Sequence, residues 1–301
     1  MENDSPSQGL PPGLARAAWQ EWWPLAFGIS VLVLPSWIRF AFGIWQNAEY
    51  SHAPIVIAMA LYLFWRERAA IITAGAGSPI TATVLIAIGA ILYVPAVWIQ
   101  SGFLESATQI AMIAGALALM GGAPLVRKLA LPILLLLLAA PLPGNVIAAA
   151  TGTLKEWVSV VAEAILYQTG YPIARGGVTL TIGSYRMLVA DACSGMNSLF
   201  SLSAVGLFYL SIVSRPHRWQ TAILALAIVP IAIATNIVRV VVLLLITYYL
   251  GDDAGQGFLH EFSGLLMFLI AVSALIGFEG VLRLIDRRTP VKSALKAQTR
   301  A

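Results

Sequence analysis

Long apolar stretches separated by short polar connections dominate the pattern of this chain. A helix needs about 20 apolar residues to cross a hydrocarbon core of ~30 Å. Eight stretches predict spans, the second and fourth of them short: Trp23–Trp45, Ala53–Trp65, Ile80–Gln100, Ala107–Gly122, Leu129–Ala150, Gly195–Ser214, Trp219–Leu250 and Glu261–Leu284. The sequence therefore predicts an all-α polytopic membrane protein with a single transmembrane domain over residues 1–301.

The long connection at residues 151–192 has a pattern of its own. Helical spacing of apolar residues from Leu154 to Leu166 predicts an amphipathic helix that ends at Gly170. Two alternating segments then flank Gly183–Ser184, which suits a two-residue hairpin turn. The predicted pairs are Val178 with Val189, Leu180 with Met187, and Ile182 with Tyr185. One face of this β-hairpin is then apolar.

Composition supports the membrane assignment. Charged residues make up 11% of the chain and hydrophobic residues 59%, whereas an ordinary soluble domain has about 25% charged residues. Lipid must therefore be the solvent for much of this surface. The polar start, residues 1–20, lacks the pattern of a cleavable signal peptide, so we expect it to be a tail.

Basic residues predict the orientation of the spans. They follow each even-numbered span: Arg66, Arg68, Arg127, Lys128, Arg215, Arg218, Arg283 and the basic tail at 285–301. The connections after odd-numbered spans carry Glu49, Glu105, Asp252 and Asp253, and only the long one adds Lys155, Arg175 and Arg186. The positive-inside rule then places both termini in the cytoplasm and the end of the hairpin on the outer face.

Cys193, the only cysteine, directly precedes the sixth predicted span. The unpaired N–H groups at the start of a helix favour a thiolate, which is the nucleophilic form. Asp191 lies beside it and suits either a helix cap or a group that orients a partner. A lone cysteine in a membrane protein is more often a packing residue, so a catalytic role needs other groups to support it.

Arg239 supplies such a group within the seventh span, with Asn236 one turn earlier on the same face. An arginine at membrane depth costs at least ~2.5 kcal/mol and usually faces a cavity. The alternatives are an arginine that reaches back to the interface and one that pairs with neighbouring carbonyls. This span is near ~48 Å long at about 1.5 Å per residue, so Arg239 could reach the outer boundary and meet Cys193.

Two histidines fall on the outer side of the predicted topology. His260 lies at the mouth of the eighth span and His52 at the outer end of the second, whereas His217 falls on the cytoplasmic side. A single interfacial histidine is usually a surface residue. A thiol, a guanidinium and an imidazole on one side of the membrane together indicate a catalytic site.

The motifs that carry these residues resemble the exosortase/archaeosortase family of membrane sorting enzymes. They are Ala192-Cys193-Ser194-Gly195, Asn236-x-x-Arg239, His260-x-x-x-Gly264, Ser51-His52-Ala53-Pro54 and Leu61–Arg66. The resemblance extends roughly from Tyr50 to Gly280. It implies a catalytic Cys193–Arg239–His260 site, with Asp191, Ser194, Asn236 and His52 as supporting residues.

The resemblance also implies a substrate. Family substrates are exported proteins whose tail has a Pro-Glu-Pro-like signature, a transmembrane helix and a basic cluster. The expected protein is a thiol peptidase or transpeptidase of the bacterial inner membrane, with its site facing the periplasm and a thioester on Cys193. Some relatives carry a further C-terminal domain, which we do not expect here.

Two other classes fit the hydropathy: a multi-span transporter and a non-catalytic assembly subunit. A transporter typically shows two related halves or short, broken helices near the midplane. No such repeat is evident, although Pro141-Leu142-Pro143 interrupts the fifth predicted span. The sequence shows no phosphate-binding glycine loop and no cluster at metal-ligand spacing, so we expect no cofactor, metal or nucleic acid. The acceptor of the acyl group and the oligomeric state stay open.

Overall fold

The computed structural model describes residues 12–47, 50–75, 77–188, 195–213, 218–251, 266–267 and 269–284. Over these residues the chain is mostly helical. It divides into two compact units, Met1–Pro143 and Gly144–Ala301. Each unit has its own apolar clusters and is described by itself.

The first unit is helical throughout its regular elements. These are α1 Pro12–Ala41, a short 3₁₀ helix at Ile44–Gln46, α2 Ala53–Arg66, α3 Arg68–Ile72, α4 Pro79–Trp98, α5 Gly102–Lys128 and α6 Ala130–Leu138. Helix α4 packs along α5, and α2 packs on α6. Helix α5 kinks at Gly122, where the backbone leaves the helical region. A cluster around Leu117, Leu125 and Leu129 joins α5 to the short α3 and to Phe64 of α2.

The second unit combines helices with a small sheet. Its elements are α7 Gly144–Gln168, β1 Ile173–Gly176, β2 Thr179–Ile182, β3 Tyr185–Leu188, α8 Gly195–Ile212, α9 Arg218–Leu250 and α10 at residues 266–267 and 269–284. The three strands form an antiparallel sheet in the order β1-β2-β3. The sheet and α7 pack on α9.

The hairpin of β2 and β3 pairs Ile182 with Tyr185 and Leu180 with Met187. Gly183 has a φ of +58° and Ser184 a negative φ, which fits a type II′ turn with glycine at its first position. Val189, predicted to face Val178, lies outside the described residues. Strand β1 has no counterpart in the sequence prediction, and it exists because Ile173–Gly176 pairs along β2.

Four described helices are long and apolar enough to cross a membrane: Trp23–Ala41, Pro79–Trp98, Gly102–Lys128 and Trp219–Leu250. Two shorter apolar helices are Ala53–Arg66 and Phe200–Ile212. Large apolar side chains such as Ile91, Trp98 and Leu226 are exposed on these helices, as expected where lipid is the solvent. The fold is that of a polytopic membrane protein, and the number of eight spans stays a prediction.

One predicted span is wrong as a continuous helix. The segment Leu129–Ala150 contains the end of α6 at Leu138, a non-helical stretch at 139–143 and the start of α7 at Gly144. Pro141 and Pro143 explain the break, because proline lacks the backbone N–H and disfavours helical geometry before it. Helix α7 then continues to Gln168, so it includes the predicted amphipathic segment.

Candidate active site

Helix α9 changes neighbours along its length. Its first half packs on α8 and α10 through Leu224, Ile228 and Ala232. Its second half packs on α7 and the sheet through Val240, Leu243 and Leu244. The helix therefore passes from one set of apolar neighbours to another between Ala232 and Val240.

Asn236 and Arg239 occupy this junction. Arg239 is 3% exposed and Asn236 is 8% exposed. Residues three apart lie on one face of a helix, and Ala232, four residues before Asn236, continues the same face toward α8. A guanidinium this deeply buried between apolar clusters is expensive, so it marks a functional candidate. The prediction that Arg239 faces a cavity stays a prediction.

The packing of α8 on α9 gives a register for this face. A Cβ built on Gly206 of α8 would lie 2.7 Å from Cδ1 of Ile228, and Leu202 of α8 shares a cluster with Ala232. A step of four residues toward the start of α8, from Gly206 to Leu202, therefore corresponds to a step of four residues toward the end of α9, from Ile228 to Ala232. The two helices are antiparallel in this contact. If the two helices keep this register over two further turns, Gly195, the first residue of α8, is level with Arg239.

Four of the predicted site residues lie outside the described residues: Asp191, Cys193, Ser194 and His260. Their assembly with Arg239 and Asn236 therefore stays a prediction. His52 is described in the first unit, where it is 8% exposed and precedes α2 at its N-cap position. Its supporting role also stays a prediction.

The sheet is attached to the end of α9 by tyrosines. The Tyr171 and Tyr249 hydroxyl oxygens are 2.9 Å apart. The rings of Tyr171, Tyr248 and Tyr249 meet edge to face, with centroids 5.1 to 6.2 Å apart. Such edge-to-face contacts add to the stability given by burial. They hold the strands that lead toward Cys193 in a defined position on α9.

The two arginines of the sheet differ in their contacts. Arg175 of β1 donates from Nε to Oε2 of Glu163 on α7 at 2.9 Å. Arg186 of β3 is exposed, and it makes no hydrogen bond or ion pair within the described part of the chain. In the sequence the two arginines differ in nothing but position, because their different surroundings depend on the sheet.

A buried polar network in the first unit was also missed. Glu105 was predicted to lie in a connection between spans, but it lies in the first turn of α5, is 2% exposed and pairs with Arg39 of α1. Gln109, one turn further, donates to Ser36 Oγ at 2.8 Å, and Ser36 Oγ lies 3.1 Å from the Tyr93 hydroxyl. The spacing of Glu105 and Gln109 on one helical face was the available signal.

No group of three or more histidine, cysteine or acidic side chains able to hold a metal ion occurs within the described ranges. The residues of the candidate site are instead an amide and a guanidinium. Both are hydrogen-bond donors, and they lie on one face of α9. This arrangement can stabilise negative charge.

Fold and candidate site together define a mostly helical, polytopic membrane protein with a buried cationic group at a helix junction. A protein-family profile described as transmembrane exosortase matches residues 44–277, which is most of the chain. The chain therefore belongs to the transmembrane exosortase family. The matched region includes Cys193, Asn236, Arg239 and His260. Comparisons with curated proteins and with solved structures gave no match.

Proposed function

We propose that this protein is a membrane-embedded cysteine peptidase or transpeptidase that removes a C-terminal sorting tail from exported proteins. Family membership supports a membrane sorting role. The observation that carries the proposal is the burial of Arg239 within α9, and we infer from the register of α8 on α9 that Arg239 is level with the first residue of α8. Cys193 precedes that residue by two positions, and consecutive Cα atoms are about 3.8 Å apart. Chain geometry therefore limits the distance between the Cα atoms of Cys193 and Gly195 to about 8 Å.

The proposed reaction begins with attack of the Cys193 thiolate on the scissile carbonyl. A C–S bond forms, and the carbonyl oxygen gains the negative charge of the tetrahedral intermediate. Arg239 stabilises this oxyanion, and a preorganised donor of this kind contributes about 3 kcal/mol in a water-poor site. Asn236 is one turn away on the same face, so we assign it the positioning of Arg239.

His260 is the proposed acid and base. It donates a proton to the leaving amine as the C–N bond breaks, which leaves a thioester on Cys193 and releases the tail. It then accepts a proton from the acceptor, an amine or water, as that group attacks the thioester and the thiolate departs. Asp191 and Ser194 flank the nucleophile as supporting residues, and His52 is a second candidate imidazole.

The proposed topology places both termini in the cytoplasm and the site on the periplasmic side of a bacterial inner membrane. Its partners are the lipid bilayer and exported proteins that carry a Pro-Glu-Pro-like signature, one transmembrane helix and a basic cluster. The positive-inside pattern supports this orientation. The burial of Arg239 alone fits an enzyme, a transporter and an assembly subunit. A requirement for Cys193 is what favours the enzyme over the other two classes.

The test is co-expression of the full chain with an exported protein that bears such a tail. We expect wild type to remove the tail and Cys193→Ala to leave it intact, as read by a mobility shift, with equal membrane abundance of both chains. Because Cys193 is the only cysteine, a thiol label on the purified chain reports this residue alone. Substrate should block the label, and hydroxylamine should restore it by cleaving the thioester. Tail removal by Cys193→Ala at the wild-type rate would refute the proposal.

A further inference from the structure

Strand β3 has two features of a peptide-docking edge. In the order β1-β2-β3, its outer edge has no strand partner within the described residues. Residues that flank a two-residue turn form a hydrogen-bonded pair, and such pairs alternate along an antiparallel ladder. Tyr185 and Met187 therefore bond to β2, whereas the N–H and C=O groups of Arg186 and Leu188 point to the free edge. An extended peptide can pair with such an edge.

The side chains of the same two residues lie on the open face of the sheet. Met187 is buried against α9, whereas Arg186 and Leu188 are exposed, as expected from alternation along a strand. The free edge thus carries an unpaired cation next to an apolar side chain. Arg175 in the same sheet already has Glu163 as its counter-ion, so Arg186 is the arginine available to a ligand.

We propose that β3 binds the extended segment of the substrate tail at its free edge, and that Arg186 selects an acidic side chain in that segment. This inference rests on the proposed function. Leu188 precedes Cys193 by five residues, which span at most about 18 Å. A peptide paired with β3 therefore reaches the nucleophile within about five residues of its own. The cation defines the occupant as an extended acidic peptide.

The test uses three tails that differ at the acidic position of the signature: Glu, Gln and Arg. Arg186→Ala should lower kcat/KM for the Glu tail about fivefold to tenfold, the range for an exposed charge-assisted contact, and leave the Gln tail unchanged. Arg186→Glu should reverse the preference in favour of the Arg tail. Arg175→Gln removes the same charge from the same sheet, so it is the matched control and should keep the wild-type preference.

The outcomes distinguish failure of the docking inference from failure of the proposed function. If Cys193 is required but Arg186 variants process the three tails in wild-type ratios, the docking inference is wrong and the proposed function stands. Equal loss on all three tails also overturns the inference, because it indicates a structural role or a contact with lipid phosphate. If Cys193→Ala processes the Glu tail like wild type, the proposed function itself fails.

Discussion

Glu105 in the first unit and Arg239 in the second are both buried ionisable residues, and their surroundings differ. Glu105 of α5 is 2% exposed, and it pairs with Arg39, whose side chain is 55% exposed. A network of Ser36, Tyr93 and Gln109 lies one turn away. Arg239 of α9 is 3% exposed, and the two halves of its helix pack on different apolar clusters. The first arrangement ties α1 to α5 through an ion pair, whereas the second buries a cation within one long helix.

The comparison separates two reasons for burying charge in a membrane protein. In the first unit, a partner on a neighbouring helix and local hydrogen bonds satisfy the polar groups, which is how buried polar residues usually stabilise a fold. In the second unit, we infer from the register of α8 on α9 that the buried cation is level with the start of α8, two residues after the only cysteine. We infer that replacing Glu105 or Arg39 changes stability, and that replacing Arg239 changes activity.

The largest expected effect is that of Arg239→Gln. Loss of the cation should lower the single-turnover rate of tail cleavage by about 100-fold or more, the size found when one oxyanion donor is removed. Arg239→Lys keeps the charge but loses the planar fork of donors, so we expect a smaller loss. The measurement is cleavage by purified enzyme in detergent, normalised to folded protein.

The matched control for Arg239 is Val238→Ala, since Val238 is the adjacent residue of α9 and is exposed. It should retain the wild-type rate. An Arg239→Gln enzyme with the wild-type rate would show that the buried guanidinium has only a structural role. The contrast between the two units would then disappear.

Hydropathy predicted the helices well where one apolar stretch made one helix. Ala53–Trp65 corresponds to α2 Ala53–Arg66, and Trp219–Leu250 to α9 Arg218–Leu250. The sequence predicted Leu129–Ala150 as one span interrupted by Pro141 and Pro143, and at these prolines the structure divides it into two helices. Strand β1 was missed because a strand of four residues depends on its partner more than on its own sequence.

Only the part of the candidate site that leaves a local signal in the sequence was predictable. An arginine within an apolar stretch is visible in the sequence, and Arg239 is indeed buried. The register of α8 on α9 is not visible, because it depends on the fit of Gly206 against Ile228. The Arg39–Glu105 pair joins residues 66 positions apart, a separation that no local pattern reveals. The roles of Cys193 and His260 stay predictions.

A smaller effect is expected from breaking the Arg39–Glu105 pair, and it should be asymmetric. Arg39→Leu leaves a buried carboxylate without its cation, which should cost on the order of 2 kcal/mol. Glu105→Gln leaves a half-exposed arginine that water can solvate, so its cost should stay below about 1 kcal/mol. Thermal unfolding of each purified variant in one detergent measures the difference.

Both variants should cleave the tail at the wild-type rate when corrected for folded protein. The double variant, Arg39→Leu with Glu105→Gln, should recover part of the stability lost in Arg39→Leu, because the buried charge is gone. A Glu105→Gln enzyme that is stable but inactive would contradict the comparison and give the first unit a direct role in the reaction.

The smallest effect concerns the packing of α8 on α9. The stability lost in Gly206→Ala should depend on the side chain of its neighbour Ile228. A Cβ on Gly206 would lie 2.7 Å from Cδ1 and 2.9 Å from Cγ1 of Ile228, so Gly206→Ala overpacks the contact. Alanine also favours a helix over glycine by about 1 kcal/mol, which offsets part of an overpacking cost of about 1–3 kcal/mol. We expect a net loss of about 1 kcal/mol and a reduced cleavage rate.

Ile228→Val removes the atom of the shortest contact, so Gly206→Ala should be less destabilising in that background than in wild type. A double-mutant cycle on thermal unfolding measures this coupling. Gly277→Ala is the matched control, because a Cβ there meets nothing within 4 Å, and it should be neutral or slightly stabilising. Additive effects of the two substitutions would mean that Gly206 and Ile228 do not set the register of α8 on α9. The inference that Gly195 is level with Arg239 would then be unsupported.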